Sequence, residues 1–178
     1  MARFSVVGIP GSGKTTTSRA IAERLGITHV ELDELFHGPN WSQPEPEEFE
    51  RRVDAALGDL EAWVVDGNYR SWVGDLVLER ADTLVWLDLP LRVCLGRIWR
   101  RTWRRLAVRE ELWESRNRET FRNAFLSRNS LFVWAVKKHF GHRRDMPQWI
   151  SRHPHVQVAR LRSQRDVEHW LGSLNQSR

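Results

Sequence analysis

The sequence predicts a doubly wound α/β sandwich: a five-stranded parallel sheet with helices on both faces and an arginine-rich helical lid. Three observations carry that expectation. Apolar runs of strand length alternate with helical patterns. The first run opens into a glycine-rich loop ending in Lys14-Thr15-Thr16. The first four runs end in or next to Gly, Asp or Pro, where a parallel sheet delivers the chain to its ligand-binding edge.

The first strand is expected over 3–8, where Phe-Ser-Val-Val-Gly reads as a short buried parallel strand. A helix follows over 14–25, with Ala20, Ile21 and Leu25 on one face and Gly26 as its C-cap. Further strands are expected at 28–32, 62–66, 83–88 and 155–160. Further helices are expected at 46–60, 72–80, 91–105, near 109–140, and at 164–173, where Val167, Trp170 and Leu171 fall at i, i+3 and i+4. No repeat or low-complexity linker divides the chain, so 1–178 reads as one domain.

Composition narrows the class. The only cysteine, Cys94, excludes an internal disulfide and lies in an apolar helical stretch, so it is expected in the core. The chain enters a strand almost at once, leaving no room for a signal peptide, and no apolar run approaches the roughly 18 residues of a membrane span. A soluble cytoplasmic protein is expected. The net charge of +5 hides an asymmetry: residues 31–66 hold eleven acids against two arginines, and residues 92–122 hold ten arginines against four acids. Of the ten tryptophans, Trp63 and Trp86 are expected in the core, and Trp99, Trp103 and Trp113 in core or lid packing.

The spacing Gly8-x-x-x-x-Gly13-Lys14-Thr15 fits the phosphate-binding loop template. Glycines let the backbone curl so that several N–H groups face one phosphate, and the helix N-terminus adds partial positive charge. Gly8, Gly11, Ser12, Gly13, Lys14, Thr15 and Thr16 are therefore the candidate contacts to a nucleoside triphosphate, ATP or GTP. Lys14 would reach its β- and γ-phosphates, and the Thr15 hydroxyl would bind Mg²⁺.

Asp33 follows the second strand and Asp66 ends the third, both at the edge where the loop lies. Either could hold a water on Mg²⁺, and Asp33 could take a proton from an acceptor hydroxyl. Gly67 leaves backbone room for a ligand, and Arg70 lies four positions after Asp66. Trp41, in His-Gly-Pro-Asn-Trp-Ser-Gln-Pro, is a candidate wall of an acceptor pocket. Arg97, Arg101, Arg104 and Arg105 share one helical face; such a cationic stripe repels itself unless an anion such as a triphosphate lies against it. Arg116, Arg118 and Arg122 follow.

On these residues the chain resembles the small P-loop kinases of the adenylate kinase-like superfamily. Within it, the chain is similar to the FlaR-like group labelled "DNA topology modulation" proteins. The resemblance runs through Gly-Ile-Pro-Gly-Ser-Gly-Lys-Thr-Thr, Leu-Asp-Glu-Leu-Phe-His-Gly-Pro-Asn-Trp, Asp-Gly-Asn-Tyr-Arg, Arg-Ile-Trp-Arg-Arg and the closing segment. It implies a P-loop NTPase fold, with lid and flanking helices at 97–140 and an acceptor segment at 33–62. It implies that Asp66-Gly67-Asn68-Tyr69-Arg70 holds the acceptor, with Arg70 on an acceptor phosphate. It also implies that Arg97 and Arg101 touch adenine and phosphates, that the lid arginines correspond to Arg116, Arg118 or Arg122 with no motif to fix which, and that Arg162, Ser163, Gln164 and Arg165 form the adenine-side loop.

Two departures shape the functional expectation. The acceptor segment is short for a nucleoside monophosphate kinase, and adenylate kinases lack an acid like Asp33. Shikimate-, gluconate- and polynucleotide-kinase-like enzymes have one, because an alcohol must lose a proton whereas a phosphate acceptor is already an anion. The expectation is a Mg²⁺-dependent kinase acting on a hydroxyl of a small nucleoside-, sugar- or antibiotic-like acceptor, with Asp33 as base and Lys14, Arg97 and Arg101 on the transferring group. The alternatives are a nucleoside monophosphate kinase using Arg70 and, from the subgroup's label, a regulatory DNA-binding protein, although no DNA-reading motif is apparent. No nucleic-acid or membrane partner is expected, and the chain would act as a monomer or homodimer.

Overall fold

A computed structural model of the chain describes residues 2–39, 42–108, 111–112, 117–118 and 131–174, with side chains outside 105–134. In chain order the first half runs β1 (Arg3–Gly8), α1 (Lys14–Leu25), β2 (Thr28–Glu31), α2 (Leu32–Phe36), α3 (Pro46–Leu57) and β3 (Trp63–Asp66). A π-helical turn (Arg70–Gly74) leads into α4 (Asp75–Arg80) and β4 (Thr83–Leu87). Then come α5 (Leu91–Val108), β5 (Glu111–Leu112), β6 (Asn117–Arg118), α6 (Leu131–Ser151), β7 (Gln157–Leu161) and α7 (Gln164–Ser173).

The expected five-stranded parallel sheet is present, ordered β2-β3-β1-β4-β7. β1 lies in the middle, with Val6 beside Asp66 of β3 and Val85 of β4. Successive side chains point to opposite faces. Phe4, Val6, Val64, Val85 and Leu87 pack with Ile21 of α1 and Val167 and Leu171 of α7. Val7, Val65, Leu84 and Trp86 pack on the other face with Phe49, Val53, Leu78, Met146 and Trp149. Burial on both faces explains why the central strands read as unbroken apolar runs. Trp63, Trp86 and Cys94 are core, as expected. Trp99 and Trp103 are half exposed and stack edge to face, 5.7 Å apart.

The helix expected near 109–140 is not continuous across the described residues. α5 covers Leu91–Val108, Glu111–Leu112 pairs antiparallel with Asn117–Arg118, and α6 covers Leu131–Ser151. Trp113, Arg116 and Arg122 of the expected lid lie outside the described residues. α6 in turn runs past Pro147, which normally ends a helix. The buried Met146 and Trp149, whose indole donates to Asp75 at 2.5 Å, anchor the turns on either side. The expected helix at 72–80 begins earlier, as the π-helical turn. No described helix is long and apolar enough to cross a membrane.

Asp88, just past β4, joins the layers at the site's end of the sheet. Its buried carboxylate accepts from Arg143 of α6 at 2.6 Å and from Nε and Nη2 of Arg160 in β7 at 3.0 and 2.6 Å. The Arg160 guanidinium also covers the Trp86 ring at 4.2 Å. Asp88→Asn should therefore cost about 1–3 kcal/mol, since charge-assisted bonds are lost from a buried acceptor while the partly exposed arginines regain water. A lower urea midpoint at unchanged slope is the expected result. An unchanged midpoint would show that water replaces the clamp in full.

Candidate active site

β1 hands the chain to α1 through a turn with no room for side chains at its critical positions. A Cβ on Gly8 would lie 2.6 Å from Ser12 Oγ and 2.9 Å from the Leu87 carbonyl. Gly11 and Gly13 adopt φ of 75° and 95°, and a Cβ on Gly11 would strike the Cys94 carbonyl of α5. The Ser12 N–H donates back to Ile9 at 3.1 Å, so that amide braces the loop. The first helical bond runs from Thr17 N–H to Gly13 at 2.9 Å, and no side chain caps α1. The amides at its mouth thus lack intrahelical acceptors, the arrangement that suits a phosphate. Thr15 is half buried and Thr16 exposed at this mouth.

Charged groups gather behind the loop. Burial pulls the pKa of Lys14 below the usual lysine value; the charges of Asp33 and Asp66 raise it, and Arg101 lowers it. Those opposing effects place Lys14, Asp33, Asp66 and Arg101 in one electrostatic neighbourhood. Asp33 is half buried on α2, and its Oδ1 accepts from the Tyr69 hydroxyl at 2.7 Å. Burial, then the charge of Asp33, drives the Tyr69 pKa upward, so the phenol stays a donor. Asp66 is almost completely buried and pairs with His29 Nε2 at 3.1 Å.

The loop after β3 ties these groups to the phosphate loop. Asn68 accepts from the Gly8 N–H at 3.3 Å and returns a bond to the Gly8 carbonyl, so its amide braces the backbone. Gly67, at φ 152°, has its space taken by Leu32, whose Cβ would be 2.7 Å from a Cβ there. The room expected beside Gly67 for a ligand therefore belongs to α2. Arg70 lines a pocket with Asn68, Tyr69, His142 and Trp149, and its Nη2 reaches Asp145 at 3.3 Å. Phe36, Phe49, Tyr69 and Trp72 form an aromatic cluster beside Asp33, with the Phe36 and Tyr69 centroids 4.6 Å apart. Trp41, expected in this role, lies outside the described residues.

On the other flank, Arg97 of α5 donates to the Ser12 carbonyl at 3.0 Å and to Gln164 Oε1 at 2.7 Å. Arg101 is half buried and Arg104 exposed; the side chains of Arg105 and Arg118 are outside the description. Arg162 and Arg165 are exposed, so at the start of α7 it is Gln164 that touches the arginine stripe. Sequence reading did not single out Gln164, Tyr69, His29, His142 or Asp145 for these contacts. Only Gln164 and Tyr69 had a signal, standing inside the loops already marked.

The fold and loop together define a P-loop nucleotide-binding α/β domain. The sequence model of a family described as AAA domain matches residues 5–122, more than half of the chain, and the chain belongs to that family. A shikimate kinase of Gloeobacter violaceus is 37% identical over 106 residues, 52% of this chain and 59% of that protein. A cytidylate kinase of Haloquadratum walsbyi is 28% identical over 131 residues, 65% of this chain and 66% of that protein. The chain thus spans less than two-thirds of either relative. The structure of a shikimate kinase from Acinetobacter baumannii in complex with shikimate superposes with a TM-score of 0.58 at 15% identity, covering 99% of this chain and 92% of that one. That likeness is one of fold.

Gly11→Ala tests the loop. A left-handed backbone strains an alanine by roughly 1–2 kcal/mol, before its collision with α5. MgATP affinity measured by calorimetry should fall about tenfold or more. Unchanged affinity would mean that the turn's handedness is not needed.

Proposed function

We propose that the protein is a Mg²⁺-dependent phosphotransferase that moves the γ-phosphoryl of ATP, or GTP, to a hydroxyl of a small nucleoside-, sugar- or antibiotic-like acceptor. One observation carries this reading: Asp33 stands in the electrostatic neighbourhood of Lys14 and is hydrogen-bonded by Tyr69 of the acceptor-side loop. A carboxylate in that position would face both donor and acceptor, where an alcohol must lose its proton.

In this reading the backbone of Gly8–Thr16 cradles the phosphates, and Lys14 opposes the charge that grows on the transferring group. Arg97 and Arg101 add positive charge from α5, with Arg162 and Arg165 near the nucleotide base. Asp33 takes the acceptor's proton, while Asp66, Gly67, Asn68 and Arg70, with Trp41 and Arg118, shape the acceptor side. Thr15, with Asp33 or Asp66 acting through water, would hold Mg²⁺; these are the oxygen donors that suit it, and the ion would neutralise phosphate charge. Residues 1–178 act as one domain, cytoplasmic, as monomer or homodimer. Membership of the FlaR-like subgroup rests on the motifs alone.

The second reading, a nucleoside monophosphate kinase, is favoured by Arg70 lining the pocket and by cytidylate kinases among the relatives. Regulatory DNA binding has less support, because Arg97 turns onto the phosphate loop.

Lys14→Ala should lower kcat about 10²-fold or more with any acceptor. Under the hydroxyl reading Asp33→Asn should lower kcat roughly 10²- to 10⁴-fold at nearly constant donor affinity, with Arg70→Ala milder. A large rise in acceptor KM for Arg70→Ala with donor KM unchanged would favour the monophosphate kinase. Full activity of Lys14→Ala would sink both kinase readings.

A further inference from the structure

The chain has one tyrosine, Tyr69, and its hydroxyl points at the candidate base. The backbone of Tyr69 is fixed: its carbonyl accepts from the Trp72 and Val73 amides at 3.0 and 2.9 Å, where the π-helical turn begins. The ring is fixed as well, with the Phe36 centroid at 4.6 Å and the Phe49 centroid at 5.0 Å. A phenylalanine would serve that packing equally well, so the hydroxyl is the informative atom. It donates to Asp33 Oδ1 at 2.7 Å, a short charge-assisted bond. Among the described residues no other side chain donates a hydrogen bond to that carboxylate.

A carboxylate that takes a proton from an acceptor hydroxyl needs an oxygen turned toward it. Here Tyr69 occupies Oδ1. The phenol is not itself a substrate for the base: burial, then the charge of Asp33, raises its pKa, so toward Asp33 it only donates. Asp33 is half buried, so without the phenol a water would take the vacated oxygen. Water is the acceptor that a phosphotransferase must refuse, because a base that activates water beside a bound triphosphate turns transfer into hydrolysis. An alcohol differs from water in bringing further groups, whose binding can offset the loss of the Tyr69 bond. The ring need not move for this. Turning the hydroxyl about its C–O bond redirects the hydrogen while Phe36 and Phe49 hold the ring.

We propose that Tyr69 is a specificity-determining residue that guards Asp33 against water: its hydroxyl holds Oδ1 until an acceptor alcohol, bound through its other groups, takes that oxygen. The inference rests on the reading of Asp33 as base and deepens it, by stating how that base tells an alcohol from water. In the unguarded reaction a water oxygen bonds to the γ-phosphorus as the bond from that phosphorus to ADP breaks. The water proton passes to Asp33, and the products are ADP and inorganic phosphate.

The test needs no acceptor. MgATP hydrolysis is followed in the full chain for wild type, for Tyr69→Phe, and for Tyr69→Phe combined with Asp33→Asn or with Lys14→Ala. Phenylalanine keeps the ring contacts, and calorimetric MgATP affinity reports that Tyr69→Phe keeps the donor site. Tyr69→Phe should hydrolyse ATP about tenfold faster than wild type or more, the factor carried by one hydrogen bond to a charged group. In water enriched in oxygen-18 the released phosphate should carry the label. Adding Asp33→Asn should return the rate to the wild-type level or below, and adding Lys14→Ala should abolish it. A merely loosened fold would give neither the faster rate nor its dependence on Asp33. The contact itself is read apart from turnover: with tyrosine labelled by carbon-13 at Cζ, the single resonance should shift in Asp33→Ala. An unmoved resonance overturns the proposal. So does hydrolysis by Tyr69→Phe no faster than wild type while MgATP still binds, or a faster rate that survives Asp33→Asn. Failure of wild type and Tyr69→Phe alike to bind MgATP would instead count against the phosphotransferase reading, while the resonance still decides whether the phenol holds Asp33.

Discussion

Between Gly8 and Lys14 the chain leaves the middle strand of the sheet and enters α1 through two residues of positive φ, with no space for a Cβ at Gly8 or Gly11. Within that backbone the Ser12 N–H donates to Ile9, but the first amides of the helix have no intrahelical acceptors. Its surroundings hold it instead. Asn68 pins Gly8 from the end of β3, and Arg97 pins the Ser12 carbonyl from α5 while Gln164 of α7 steadies Arg97. Three elements from distant parts of the sequence thus converge on one loop.

The same contacts couple the two halves of the site. The loop Asp66-Gly67-Asn68-Tyr69-Arg70 touches the phosphate loop through Asn68, the candidate base through Tyr69, and α6 through Arg70. A shift of this loop would move donor and acceptor sides together. Electrostatics follow the same design. Lys14 is half buried near Arg101, a repulsion that Asp33 and Asp66 offset, and burial lowers its pKa. Such a group gains most when an anion of higher charge arrives.

What could be read from the sequence was local. The strands, the phosphate loop and the helix behind it depend on period and spacing within about a dozen residues, and they lie where expected. Elsewhere local pattern failed. The sequence suggests one long helix near 109–140, but Glu111–Leu112 and Asn117–Arg118 pair as strands within that range. Gly67 looked like room for a ligand because nothing nearby in sequence reveals that Leu32 fills it. Arg70 and Asp145 meet across 75 positions, Arg97 and Gln164 across 67, and neither pairing leaves a trace in either segment. The cluster of Phe36, Phe49, Tyr69 and Trp72 was hidden for the same reason: only the fold brings α2, α3 and the π-helical turn together.

The central claim is that this loop transfers phosphate to an alcohol, and the most direct measurement is the phosphorus-31 spectrum of the product. The protein, MgATP and a panel of nucleosides, nucleoside monophosphates, sugars and hydroxy acids would be incubated, and each mixture that consumes ATP examined. Transfer to an alcohol gives a new phosphate monoester resonance, coupled to carbon-bound protons of the acceptor, at the expense of the γ-phosphorus. A new pair of mutually coupled phosphoanhydride resonances, formed only with nucleoside monophosphates, would contradict it.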